Sequence, residues 1–186
     1  RYNKSIAYSL DNQFEGHFTR GAFDHTFLIG ASLDRTSFNQ DWDAGNGGTI
    51  NVFDPVWNGK PSTPLHVQNA LLEQTMYGLY SQLQTKVDNW VLLLGGRLDR
   101  VNSQFRNKAG TLNAQADMNS WDSKFTWQTG VMYQFENGLS PYFSYSTAFA
   151  PTQQTESKSG PLDPTTSEQY EVGIKYEPTG WNTAFT

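Results

Sequence analysis

Cysteine is absent from the 186 residues, which removes disulfides, thiol nucleophiles and thiolate metal sites while remaining compatible with an envelope location. Charge is scarce too: 17% of the residues are Asp, Glu, Lys or Arg, and the formal balance is -5 at pH 7. Nucleic acid wants a basic patch against its phosphates, so no nucleic-acid partner is expected. No run of about 18 apolar residues occurs, which excludes a helical membrane span. The mean hydropathy of -0.62 does not exclude strands that cross as a closed wall, whose signal per strand is weak. His17, His25 and His66 are too scattered for a zinc set. No Gly-x-Ser-x-Gly elbow, no phosphate-cradling glycine loop and no convergent carboxylate pair is visible, so neither enzyme chemistry nor a cofactor is expected.

Aromatic residues, by contrast, make up 15% of the chain, and they fall with a period of two. From Phe125 to Phe135 the odd positions read Phe125, Trp127, Thr129, Val131, Tyr133, Phe135, and the even ones Lys124, Thr126, Gln128, Gly130, Met132, Gln134. After Glu136-Asn137-Gly138-Leu139 the stripe resumes as Pro141, Phe143, Tyr145, Thr147, Phe149 against Tyr142, Ser144, Ser146, Ala148. Ile6, Tyr8, Leu10, Phe14 and Phe18 oppose a polar face. So do Trp90, Leu92, Leu94 and Leu98, and so do Tyr170, Val172, Ile174 and Tyr176. Such alternation predicts strands with one apolar and one polar face. Tight turns are read at Arg20 to Asp24, Lys86 to Asn89, Glu136 to Ser140 and Glu177 to Gly180. Long connections are read at Asn39 to Ala70, Gln104 to Asp122 and Ala150 to Thr166. The count is seven strands and an eighth beginning at Trp181.

A soluble sandwich alternates as well. Three features favour a membrane wall. Rings gather beside the short turns, as an interfacial girdle requires: Phe18 with Phe27, Trp90, Phe135 with Phe143, Tyr176 with Trp181. Short and long connections alternate, as periplasmic turns and extracellular loops do in outer-membrane barrels. The polar face uses Gln, Ser, Thr and Gly, as befits an enclosed wet interior. The expected fold is therefore all-β, an antiparallel transmembrane β-barrel segment. Two alternatives remain open: a soluble secreted β-sandwich binding carbohydrate through exposed rings, and a small self-contained outer-membrane barrel. Arg1 opens without a signal peptide. The strand from Trp181 has six residues, short of the roughly 9 to 11 that cross a bilayer. A truncated barrel is the expectation.

Particular stretches resemble TonB-dependent siderophore receptors, most closely the ferrichrome-type, hydroxamate branch. They are Gly95-Gly96-Arg97-Leu98-Asp99, Phe125-Thr126-Trp127, the run from Glu136 to Ser146 continuing to Phe149-Ala150-Pro151, and Glu168 through Tyr176. Asp24-His25-Thr26 and Phe53-Asp54-Pro55-Val56 extend the likeness over most of the chain. The resemblance implies a barrel of roughly 22 strands filled by an N-terminal plug, set in the bacterial outer membrane and its lipid. It would import a ferric siderophore with energy passed on by TonB. Residues 1–186 would then be a partial barrel of about eight strands, without the plug and without the segment that TonB contacts.

A ferric siderophore arrives with its iron saturated, so the protein needs aromatic and hydrogen-bonding surfaces and no iron ligand. The resemblance places such surfaces on the extracellular loops, where Trp42, Phe53 and Trp57 are the candidate contacts; rings that merely pack the loop are the bland alternative. Asp41-Trp42-Asp43-Ala44-Gly45-Asn46-Gly47 has the look of a calcium loop, but its twelfth position is Val52 where a bidentate Glu belongs, so it reads as a loop tip. Arg97 with Asp99, together with Lys124, Glu171 and Lys175, are expected to face the lumen as a structural ion-pair network.

Overall fold

Strands form wherever the two-residue period holds. A computed structural model describes residues 2–45, 50–56, 65–108, 117–151, 155–156, 160–161 and 164–177, and the regular elements among them are all strands. They are β1 (Tyr2–Arg20), β2 (Phe23–Ala44), β3 (Leu65–Val87), β4 (Trp90–Asn107), β5 (Met118–Tyr133), β6 (Leu139–Ala150), β7 (Thr155–Glu156), β8 (Gly160–Pro161) and β9 (Thr165–Tyr176). The seven long strands make one antiparallel sheet in the order β1-β2-β3-β4-β5-β6-β9, and β7 pairs only with β8. Each long strand thus neighbours the preceding long one in sequence, the meander of an up-and-down wall. Trp181 and the eighth strand expected from it lie outside the described residues.

Turn chemistry closes the hairpins. Gly21 has φ +64 between β1 and β2, and Asp88 has φ +49 between β3 and β4, left-handed values that suit tight hairpin turns. Between β5 and β6, Gly138 has φ +86. Its N–H donates to Phe135 O at 3.0 Å, and the Leu139 N–H donates to Asn137 Oδ1 at 3.1 Å. A Cβ is disfavoured at that φ, so Gly138→Ala is expected to lower stability by about 1 kcal/mol. A drop in the denaturant midpoint with unchanged slope would register it. The fourth expected turn runs into residues 178–180, which lie outside the described residues.

At the other end the strands are longer than the sequence pattern indicated. The connection read as Asn39 to Ala70 is shortened to 45–64, because Asn39 still pairs with Leu71, Gln40 with Ala70 and Asp41 with Asn69. Gln104 to Asp122 likewise shrinks to 108–117. The ladder persists there through backbone hydrogen bonds after the apolar stripe has ended, and polar side chains on both faces hide it from a periodicity reading. The third connection, 151–164, carries β7 and β8. One register shift, between Trp42 and Asp43, interrupts the pairing of β2 with β3.

Backbone pairing of β5 with β6 runs from Gln128–Ser146 to Met132–Tyr142. Above it a side chain takes over: Trp127 N–H donates to Thr147 Oγ1 at 2.9 Å, and that hydroxyl donates back to Trp127 O at 3.3 Å. Few side chains are buried. Val67, Ala70, Val101 and Phe105 are the buried apolar residues among those described, all toward the long-connection end.

Candidate functional site

The sheet has two faces of opposite character, and the register identifies their members. One face carries Phe14, Ile29, Leu79, Leu94, Leu98, Phe125, Trp127, Val131, Phe143, Val172 and Ile174, aligned rung by rung across all seven long strands. Leu94 is 59% exposed, Phe125 61% and Val172 83%. Rings do not converge on a dry centre, and no second sheet among the described residues covers this face. A patch this wide would drive a water-soluble protein to aggregate. Nine residues from Trp90 to Leu98 match the roughly 9 to 11 that a tilted strand needs to cross a bilayer.

Both margins of this band are built for an interface. At the short-turn end Phe18 lies 4.7 Å from the His25 ring, Trp90 meets Tyr133 edge-on at 4.8 Å, and Tyr133 meets Phe135 at 4.7 Å. At the opposite margin charge begins. Arg100 sits 4.7 Å over Trp121, and Arg35 bonds Glu73 at 3.0 Å. Arg106 donates to Gln104, Gln104 to Asn102 and Asn102 to Asn119, at 2.9, 2.8 and 2.7 Å. Buried Asn102 is thus satisfied at both ends of its amide, as burial demands.

The other face is polar and its side chains lie flat. Tyr80 reaches over Gly30, where a Cβ would come within 2.3 Å of the ring; its hydroxyl donates to Asp11 at 2.6 Å, and Arg97 stands 5.4 Å over its ring. Arg97 donates from Nε to both Asp99 oxygens, at 2.8 and 2.9 Å, and from Nη2 to Ser32 at 2.9 Å. Tyr142 repeats the device over Gly173, donating to Glu171 at 2.6 Å with Lys175 at 5.5 Å from its ring. The inward set expected from sequence is therefore on one face, but only Arg97 and Asp99 form an ion pair in it, at 2.8 Å. Glu171 and Lys175 are joined through a tyrosine instead.

The three candidate contacts separate. Trp42 is on β2 at the register shift, not in a loop. Asp41 and Asp43 are on the same strand, which ends the calcium-loop reading. No group of acids and histidines able to hold a metal occurs among the described residues. Phe53 is 97% exposed in a short bend whose backbone N–H donates to Asn51 Oδ1. Trp57 lies outside the described residues. Sequence reading missed an apolar rung on the polar face, Phe38–Leu72–Phe105–Met118, which shares its side of β2 with Trp42 by alternation. The available signal was Phe105 and Met118 at the ends of a stretch read as loop.

An antiparallel meander with a charge-free apolar band on one face, a ring-lined margin at the short turns and a polar opposite face is a segment of transmembrane β-barrel wall. The chain belongs to the TonB dependent receptor-like, beta-barrel family, whose model matches residues 1–186. It is a segment of an outer-membrane receptor barrel. It is 35% identical over 185 residues to the ferrioxamine B receptor of Salmonella typhimurium (strain LT2), covering 98% of this chain and 26% of that protein. It is 34% identical over 181 residues to the ferrichrome outer membrane transporter/phage receptor of Escherichia coli K12, covering 92% and 23%. The chain thus spans about a quarter of the length of these relatives. In fold it is similar to the ferric-catecholate import receptor Fiu of E. coli K12, with TM-score 0.76, 13% identity and coverage of 96% and 30%. The ferric citrate transporter FecA is similar at TM-score 0.76, 14% identity and coverage of 94% and 25%.

Proposed function

We propose that this segment is part of the barrel wall of a receptor that imports ferric siderophores of the hydroxamate class. The observation that carries this reading is the continuation of the polar face above the membrane band into a mouth bearing Trp42 and the Phe38 rung. A ferric trihydroxamate presents a compact, partly apolar surface around saturated iron, and aromatic walls with hydrogen-bond donors suit it without any metal ligand from the protein. The resemblance to ferrioxamine and ferrichrome receptors supports the hydroxamate class over others. A plug domain supplied by another part of the protein, and energy delivered through TonB, complete the proposal, since a wall segment alone does neither.

Iron-starved cells expressing the full-length receptor are expected to accumulate iron-55 from ferrioxamine B or ferrichrome, and to lose that uptake when TonB is deleted. Uptake of a ferric catecholate with none of either hydroxamate would sink the reading. In the same receptor Trp42→Ala is expected to weaken chelate binding about five- to thirtyfold, the loss of roughly 1 to 2 kcal/mol that an aromatic anchor contributes. Titration of surface binding measures it.

A further inference from the structure

On the lipid side of the wall the apolar band ends under cations. Apart from Arg20 at the first turn, the described strand cations that share the apolar face are Lys4, Arg35, Arg100 and Arg106, and all of them lie beyond the band toward the long connections. Barrel strands tilt by about 35 to 45°, so equal height follows each strand's own stripe and not a shared rung. Lys4 is two residues past Ile6, Arg35 two past Leu33 and Arg100 two past Leu98. Two residues are about 7 Å of strand, and a headgroup layer is about 5 to 8 Å thick. The three therefore form one line at headgroup depth, on β1, β2 and β4. Before the register shift the acids on this face of β1 to β4 are Glu73 and Asp41. A chain of net charge -5 thus presents an excess of positive charge at this one place.

Arg35 and Arg106 both turn to Glu73, at 3.0 and 4.0 Å, and one carboxylate neutralises only one of them. Both arginines keep more than half of their side chains exposed, whereas Glu73 is mostly covered. Arg100 lies over Trp121 at 4.7 Å, which holds its guanidinium against the outside of the wall. Beside Arg35 is a hollow of about 450 Å³ lined by Ile6, Tyr8, Leu10, Leu33 and Glu73. Toward the band its lining is aliphatic and at its outer rim it is charged, the order of polarity in a lipid with its headgroup outermost. Neither a plug nor a passing chelate reaches this side, because both are inside the barrel. What meets it is the outer leaflet, whose lipid in a bacterial outer membrane is a glycolipid carrying phosphates on its sugar headgroup. A guanidinium matches the paired oxygens of a phosphate, and each cation at a membrane surface adds affinity for anionic headgroups.

We infer that Lys4, Arg35 and Arg100, with Arg106 behind them, are a seat for the phosphorylated headgroup of one outer-leaflet glycolipid, an acyl chain of which lies in the hollow between β1 and β2. The seat is outside the barrel and does not depend on which chelate is carried. The full-length receptor, purified in an uncharged detergent, would be titrated with lipid A and with lipid A stripped of its phosphates, and bound lipid counted by mass spectrometry of the intact complex. The unmodified receptor is expected to hold lipid A about tenfold or more tighter than the stripped form. Arg35→Gln with Arg100→Gln is expected to weaken lipid A binding about ten- to thirtyfold, as the loss of two headgroup cations implies, while Arg35→Lys with Arg100→Lys keeps most of it. Glu73→Gln removes the competing carboxylate and is expected to tighten binding about two- to fivefold. Equal binding of the two lipids by the unmodified receptor would overturn the seat, and that comparison needs no variant to fold. So would unchanged binding by the glutamine pair, or displacement of lipid A by millimolar inorganic phosphate, which would show a site for free anions.

Discussion

Leu94→Arg is expected to cost the folded barrel about 2 to 4 kcal/mol, the penalty for an arginine on a lipid-facing position near the bilayer midplane. Leu94 is in the middle of the charge-free band, between the Trp90 girdle and Arg100. Its neighbours across the sheet are Leu83 and Thr129, so no carboxylate lies on its rung to compensate the guanidinium. A control on the opposite face isolates the environment from the substitution. Gln84→Arg introduces the same side chain from the neighbouring strand into a wet interior, opposite the uncharged Thr26 and Leu93, and its cost is expected to stay below about 1 kcal/mol. Guanidinium titration of the receptor refolded into phospholipid vesicles compares the two. Equal costs on both faces would contradict the assignment of lipid and lumen sides, and with it the wall itself.

That assignment was legible in the sequence because it depends on period and on very little else. In β5 from Phe125, in β6, and in β9 from Tyr170 no charge interrupts the apolar stripe, and a one-residue slip would send every ring to the wrong side. The arginine and aspartate two residues apart on β4 were placed together for the same reason. What stayed hidden depended on neighbouring strands. Tyr80 needs Gly30 beneath it and Asp11 beyond, and those residues are on β2 and β1, so only the register brings the three together. Above the band, alternation no longer separates apolar from polar, since both faces meet water. Trp42 was therefore read as a loop residue although β2 extends past it, and the apolar rung through Phe38 and Phe105 was cut in two by a boundary drawn at Gln104. Rings beside tight turns report on the membrane; rings at the mouth report on contacts that only pairing reveals.

Arg97→Ala is expected to be the most damaging single change on the lumenal face. Asp99 has only 6% of its side chain exposed, against 32% for Arg97, and its oxygens take hydrogen bonds from Arg97 Nε at 2.8 and 2.9 Å. Truncating the arginine leaves a carboxylate that is nearly buried and has lost its cation, a situation that costs about 3 to 5 kcal/mol in protein interiors. Water entering the lumen through the vacated space offsets part of this, so a loss of about 2 to 3 kcal/mol is expected. The tyrosine device weakens as well, because Arg97 also stands over the Tyr80 ring, a contact contributing about 0.5 to 1 kcal/mol where partly exposed. Arg97→Lys should recover little, since an ammonium cannot reproduce the forked contact with both Asp99 oxygens and the bond to Ser32. Removing both charges together tells pairing from burial: Arg97→Met with Asp99→Leu is expected to be far closer to the parent than Arg97→Ala alone. A double-mutant cycle on the denaturation midpoints gives the coupling directly. Additive losses would mean that Asp99 finds its stabilisation elsewhere and that the two residues, though in contact, are not energetically coupled.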